Sequence, residues 1–543
     1  MQRSESGRES IGLRTAITGL LLYAGVAVAL TYPLVLHFGS SVISHWTIDV
    51  EHGLWVQYWF ARAVESRAVD LFSTQYLHYP STVDLQFADI NLAVTGPYYA
   101  LSRLIGIVAT WNVLVLASFV ASAALAWKVA YSRCREPWPA WMAGVFFAAS
   151  SYWLATMVNA WVYLIHAWVL PLLVLALDHA WRRQRLRDWA LLGAASSLAF
   201  HVTPYYFLYG MVLLGLLLPW LARRDPSPMK LLPLAVRIGV AGAVAALGIA
   251  PRALPMALAA SRSTYVAHHG PMNTALAARL PELFWPSRAS VEARVPADGY
   301  LVVFLGFTFM AVLLLGALFA RRRADMAPWL ITAGILLVLA LGPHARVGGS
   351  LVPLPGSLVQ KLPVFSMTTN HWRWTLPAML CLSVAAGLAL TEMRVRAARR
   401  SPRWAALVVP LVFCLHVAEV FLVFPVPPRK PLYDLRSAPA ALRLATMDDV
   451  KVVLDLSPAP KLNQITHGKR IVGGWLPRLD VRTARATEDL MRRVDEGGTP
   501  QARVQRLGEA GVQAVIWDSR RLLLISADPS HPGTFESREI DVE

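Results

Sequence analysis

Charge is scarce in this 543-residue chain. Asp, Glu, Lys and Arg make up 16% of it, against 56% for the hydrophobic residues. Soluble domains carry about 25% charged residues, so a wholly soluble enzyme is excluded, as are disordered and fibrous chains. Cysteine is nearly absent. Cys134, Cys381 and Cys414 fall in or beside apolar segments, which rules out a disulfide framework and leaves them as small core residues. No GxGxxG, GKS/T, CxxC or HExxH occurs, so dinucleotide, P-loop, redox and zinc-protease signatures are missing. There is no internal repeat and no low-complexity segment, and hence no sign of the inverted repeats of many transporters.

Long apolar runs, by contrast, recur throughout. Stretches long enough to cross a bilayer as helices lie near 15–36, 111–131, 139–157, 161–180, 188–204, 206–222, 231–250, 300–320, 327–343, 374–391 and 404–424. Twenty Trp and 36 Pro fit interfacial anchors and broken helices. The apolar run 90–108 contains Asn91, Gly96, Pro97 and Arg103 and reads as re-entrant or interfacial. With that assignment about 20 basic residues gather in roughly 56 positions of one set of loops, against about 11 in roughly 155 on the other side. The positive-inside rule then places the N-terminus in the cytoplasm and, across eleven spans, the C-terminus outside. The net charge of +17 is therefore mostly topological, and no nucleic-acid partner is expected.

From about 430 the composition turns polar, with short apolar runs VKVVLDL (450–456), RIVGGW (470–475) and VQAVIW (512–517). These read as strands alternating with helical stretches. The expected architecture is mainly α: a polytopic helical membrane bundle of about eleven spans with a small C-terminal extracytoplasmic α/β domain. Its parts are the N-terminus and first span (1–36), an outer loop with interfacial and re-entrant helices (37–110), the bundle (111–424, with outer loops 251–299 and 344–373) and the α/β domain (425–543).

Large outer loops and a bare inner face put any chemistry outside. The segment HWTIDVEHGLWVQYWF (45–60) places Asp49 one residue from Glu51. Trp55, Trp59 and Arg62 share a helix face, which predicts an interfacial helix with its aromatic side toward lipid. A carboxylate at the helix start can take a proton from an attacking hydroxyl, hold a divalent cation with its neighbour, or simply cap the helix. Asp84 and Asp89 form a second acidic site, with Asp89 opening the run 90–108. His201, Tyr205 and Tyr206 in HVTPYYFLYG (201–210) can stack on a sugar or form an aromatic girdle. Loop 251–299 carries Arg262, His268, His269, Glu282 and Asp298 and reads as a lid that orders on substrate.

The order of these features resembles the GT-C superfamily of integral-membrane glycosyltransferases, with protein O-mannosyltransferases and the lipid A aminoarabinose transferases as distant relatives. Bacterial GT-C-like membrane proteins are nearer. The matching stretches are IDVEHGLWVQYW (48–59), TWNVLVLASFVASAALA (110–126), WMAGVFFAASSYWLA (141–155), WVLPLLVLAL (168–177), PELFWPS (281–287), LPVFSMTTNHWRWTLPAMLCLSVAAGLAL (362–390) and NQITHGKRIVGGWLPR (463–478).

The resemblance implies a multi-pass protein of the bacterial inner membrane. It implies transfer of a monosaccharide from a polyprenyl-phosphate donor to a glycan, lipid or protein acceptor on the extracytoplasmic side. Asp49 would be the acid–base residue and Glu51 the second member of the superfamily's acidic pair, here spaced Asp-x-Glu. Metal dependence varies across the superfamily, so the two are also candidate ligands for Mg²⁺ or Mn²⁺. The carrier phosphate needs a cation, and Arg373 with His371 in TTNHWRW (368–374) are the candidates, Arg being suited to bidentate phosphate contact. Asp89, His268 and Tyr205 complete the candidate substrate site. Two rivals remain: a flippase of lipid-linked glycans, whose intramembrane ionisable residues would be His166 and Glu419, and an inactive GT-C-like scaffold. The tail reads as a docking or acceptor-binding domain.

Overall fold

The computed structural model describes residues 11–45, 47–66, 69–224, 231–262, 264–267, 277–293, 295, 299–319, 323–347, 350–362 and 370–542. The chain is mostly helical and folds into two compact units. One comprises 1–37, 111–249 and 269–432; the other comprises 38–110, 250–268 and 433–543.

Six helices are long and apolar enough to cross a membrane: Leu13–Leu30, Ile107–Cys134, Pro204–Arg223, Pro233–Arg262, His371–Arg400 and Pro402–Leu422. A seventh results if Pro137–Ala148 and Ser151–Val158, bent by 41°, count as one span. This is fewer, among the described residues, than the eleven expected. The expected spans 188–204, 300–320 and 327–343 form the shorter helices Leu186–Val202, Phe307–Phe319 and Arg323–Ala340, and local breaks interrupt 139–157 and 161–180. The hydroxyl of Ser150 caps the second half of the bent pair by accepting from the Trp153 N–H. The expected span 161–180 begins as turns and becomes helical only at Val169–Arg183. A hydropathy average sees neither a cap nor a turn.

The helical unit is organised around Thr375–Arg400, whose apolar part is wholly buried. It packs on Arg323–Ala340, Pro402–Leu422, Pro137–Ala148 and Phe307–Phe319. Small residues set the closest approach: a Cβ on Gly316 would lie 2.4 Å from the Cβ of Ala389, so a side chain there would force the helices apart. Asp178 takes both Arg133 and Arg182 at 2.9 Å.

The second unit is α/β. Its sheet has five strands in the order Phe535–Asp541, Arg521–Ala527, Ala514–Ile516, Val452–Asp455, Arg470–Ile471. The last three run parallel, with Ala514 opposite Val453 and Ile516 opposite Asp455, and the first two are antiparallel additions. Alternation along each strand sends side chains to opposite faces. Val452, Leu454 and Val515 pack under Leu490, Val494, Val504 and Leu507 of the helices Val481–Asp495 and Pro500–Glu509. Val453, Ala514 and Ile516 face the other way, into a core with Trp55, Val56, Trp59, Leu77 and Leu85.

That second core corrects two expectations. Trp55 and Trp59 do not face lipid: both are fully buried, their rings stack 5.6 Å apart, and the Trp55 indole N–H donates to Gln464 at 2.6 Å. Residues 38–110 and 433–543 also share one compact unit, because the sheet is apolar on both faces and the tail helices Val481–Asp495 and Pro500–Glu509 cover only one. The helix Thr47–Ser66 covers the other. Further ties join loop and tail: His78 bonds Gly474 O at 2.6 Å and Thr487 at 3.0 Å. Residues 250–268 join the same unit through Tyr265–Ala267, paired antiparallel with Arg478–Asp480, and through Arg252, which stacks on Phe72 and donates to Gln86.

The helix Leu92–Ile105 within the expected re-entrant run has 14 residues. At about 21 Å it falls short of a hydrocarbon core about 30 Å thick. Its N-cap is Asn91, not Asp89.

Candidate functional site

Within the α/β unit, Asp49 sits half-buried in the first turn of Thr47–Ser66, and Glu51 and His52 beside it are buried. The tail helix Pro460–His467 opens with Pro at its first turn, which leaves the Lys461 N–H without an intrahelical partner. The Glu51 carboxylate accepts a hydrogen bond from that N–H at 3.2 Å, so it caps a helix 410 residues away in sequence. The Lys461 side chain is 1% exposed. Its Nζ lies 3.0 Å from His52 Nδ1 and over the rings of Trp55 and Trp475 at 5.3 and 5.9 Å. His52 Nε2 points at Asp89 Oδ2, 3.7 Å away. An ammonium only donates, so His52 accepts at Nδ1 and carries its proton on Nε2, toward the carboxylate.

Burial dominates the electrostatics here. It raises Glu51 to about 7, against the opposing pull of the Lys461 N–H and ammonium. It lowers His52 to about 4, helped by the Lys461 charge. It lowers Lys461 to about 7, while Glu51, Asp49 and Asp89 act to keep the ammonium charged.

The pair Asp49–Glu51 is a poor fit to a divalent cation. One Glu51 oxygen is engaged by the Lys461 backbone, and the Lys461 ammonium, held on His52, already acts electrostatically on the carboxylates. Among the described residues no three His, Cys, Asp or Glu side chains are grouped to hold a metal, so an ion here would depend on water and substrate oxygens for its remaining ligands.

Within the helical unit, the one-turn 3₁₀ segment His371–Trp374 leads into Thr375–Arg400. Arg373 is 4% exposed. Its guanidinium lies over the rings of Tyr205 (4.9 Å) and Trp161 (5.6 Å), and its Nε has no hydrogen-bond partner. Among the described residues the charge effects on it come from Tyr163, Tyr205, Tyr152 and Tyr209, not from a carboxylate. Buried cations are ordinarily paired; here aromatic ring faces supply the neighbouring negative potential. His371 Nε2 accepts from the Gln360 amide at 2.9 Å, next to this cage.

The structure thus groups Asp49, Glu51 and Asp89 in one unit, and Arg373, His371 and Tyr205 in the other. His268 and His269 lie outside the described residues. The residues that a transport reading would use have structural bonds: His166 Nδ1 meets Ser118 at 3.2 Å, and Glu419 caps the helix Phe307–Phe319 through the N–H groups of Phe307 and Thr308. Lys461 was not expected from the sequence. The available signal was its position just inside a Pro-started helix, where the dipole disfavours a cation.

No family model matches the sequence, and neither does any curated protein. Solved structures do match. The arabinofuranosyltransferase AftD from Mycobacteria aligns with a TM-score of 0.58 and 15% identity, over 93% of this chain and 37% of that one. The oligosaccharyltransferase AglB from Archaeoglobus fulgidus, solved with an inhibitory peptide and a dolichol-phosphate, aligns with a TM-score of 0.49 and 12% identity, over 96% of this chain and 74% of that one. The chain spans little more than a third of AftD, and at 15% identity the likeness is one of fold alone.

Proposed function

We propose that the protein is a GT-C-type glycosyltransferase of the bacterial inner membrane. It moves a monosaccharide from a polyprenyl-phosphate carrier to a hydroxyl of a glycan, lipid or protein acceptor on the extracytoplasmic side. The observation that carries this reading is Asp49: a half-buried carboxylate at the start of a helix, beside the buried residues Glu51, Lys461 and His52 and the half-buried Asp89, in a fold shared with a membrane arabinofuranosyltransferase.

In the proposed step the acceptor hydroxyl gives its proton to Asp49 as its oxygen attacks the anomeric carbon. The bond from that carbon to the phosphate oxygen breaks, and the carrier phosphate leaves with the electron pair. One displacement inverts the anomeric centre. Arg373, in the helical unit, is our candidate cation for the carrier phosphate, because donors aimed at developing charge usually contribute most to such barriers. Tyr205 and Trp161 orient the guanidinium by stacking, and His371 and Asp89 position the surroundings of the two sites.

The test is glycan transfer in membranes carrying wild type, Asp49→Asn or Arg373→Ala at matched expression. Accumulation of the same polyprenyl-phosphate sugar in both variants, with loss of one envelope glycan, supports the reading and identifies the sugar. Wild-type glycan in both variants, while deletion of the gene removes it, defeats the reading and favours a scaffold.

A further inference from the structure

We infer that Lys461 supplies, at the Asp49–Glu51 pair, the positive charge that a divalent cation would otherwise supply, so that the protein works without a metal there. This rests on the transferase reading for its functional meaning and on geometry for its substance.

Lys461 is held from several directions. Its backbone N–H is fixed to Glu51 at 3.2 Å and its Nζ to His52 Nδ1 at 3.0 Å. The faces of Trp55 and Trp475 wall the side chain. Side chains of lysine bury their stems readily but keep the charged head in water unless a partner holds it; here the head itself is enclosed. The carboxylates acting on it are Glu51, Asp49 and Asp89, the acidic residues that a metal would need. The pairing also explains why a cation stands at the second position of the helix Pro460–His467, against the dipole. A metal ion brought to the same carboxylates would meet the like charge of Lys461, which already acts on them in a poorly solvated site, and that is unfavourable. In the role inferred, Lys461 is a positioning residue. It holds Glu51 and His52 and sets a positive charge that acts on Asp49, without entering the reaction.

The experiment uses purified full-length protein in nanodiscs. Mn²⁺ is titrated and followed by its EPR signal, for wild type and Glu51→Gln, and transfer is assayed in membranes with and without EDTA. Expected are free Mn²⁺ up to about 1 mM and transfer unchanged by EDTA. One Mn²⁺ bound more tightly than that by wild type and released by Glu51→Gln overturns the inference, as does transfer lost to EDTA and restored by Mn²⁺.

Thermal unfolding of Lys461→Met, Glu51→Gln and the double variant gives the coupling between the two side chains. Lys461→Met should be destabilised and lose transfer by about 10²-fold, and adding Glu51→Gln should recover stability because the unpaired carboxylate is gone. Additive effects, or Lys461→Met behaving as wild type in both stability and transfer, overturn the inference. If Lys461→Met does not fold, recovery of folding in the double variant carries the same information. The Mn²⁺ and stability measurements need no activity. A wild-type glycan in Asp49→Asn would therefore remove the transferase reading while leaving the charge role of Lys461 to be judged separately.

Discussion

Lys461 and His52, 409 residues apart in sequence, meet at 3.0 Å between Nζ and Nδ1. The contact fixes the imidazole tautomer and couples the C-terminal segment to the acidic helix start that follows the first span. Burial holds His52 at about 4, so the imidazole stays neutral above that pH, and the groups that change charge near neutrality are Glu51 and Lys461.

Stability of the α/β unit should therefore depend on pH through these two groups. Glu51 titrates near 7 when folded instead of its ordinary 4.5, so the folded state binds the extra proton. Its contribution falls as pH rises from about 4.5 to 7 and stays low above. Lys461 titrates near 7 instead of 10.5, so its contribution rises with pH from about 7 to 10.5. Melting temperatures of wild type minus Glu51→Gln should fall through the first window. A difference that rises there would mean that the fold stabilises the Glu51 anion instead.

Asp49→Asn should lower transfer by about 10²–10⁴-fold, the range for loss of a general base, with little change in melting temperature because the side chain is half-buried and not part of a packed core. Radiolabelled sugar transfer in isolated membranes measures the first, and a melting curve the second. A large loss of stability with residual specific activity intact would reduce Asp49 to a helix cap.

Arg373→Met should separate stability from function. A buried guanidinium with no carboxylate acting on it among the described residues costs folding free energy, so an apolar side chain of similar length should leave the melting temperature equal or higher. Transfer should be lost, and Arg373→Lys should recover only part of it, since an ammonium cannot make the bidentate contact. Destabilisation by Arg373→Met would show that the cation is a structural fixture of the aromatic cage.

Trp55→Ala should destabilise the α/β unit by about 3–5 kcal/mol, as for a large core aromatic, and Trp55→Phe by about 1 kcal/mol through the lost bond to Gln464. Limited proteolysis of the tail in full-length protein reports both. A lipid-facing Trp55 would leave tail cleavage unchanged.

The membrane helices, the basic clusters between them and the strand-like runs of the tail were legible in the sequence because hydrophobic length and two-residue alternation are local properties. So was the Asp49–Glu51 pair, and so was Arg373, a charge set between two Trp ahead of an apolar run. What tertiary structure decided is which apolar surface covers which. Burial is non-directional, and Trp55 and Trp59 satisfy a lipid interface and a sheet face equally well as sequence. Only the second bare face of the 452–455 and 514–516 strands draws the first outer loop and the tail into one unit. The tail then brings Lys461 to the acidic pair. No local pattern encodes a contact between positions 52 and 461: it follows from the fold's closing of that sheet, and it makes a tail expected only to dock an acceptor a part of the candidate site.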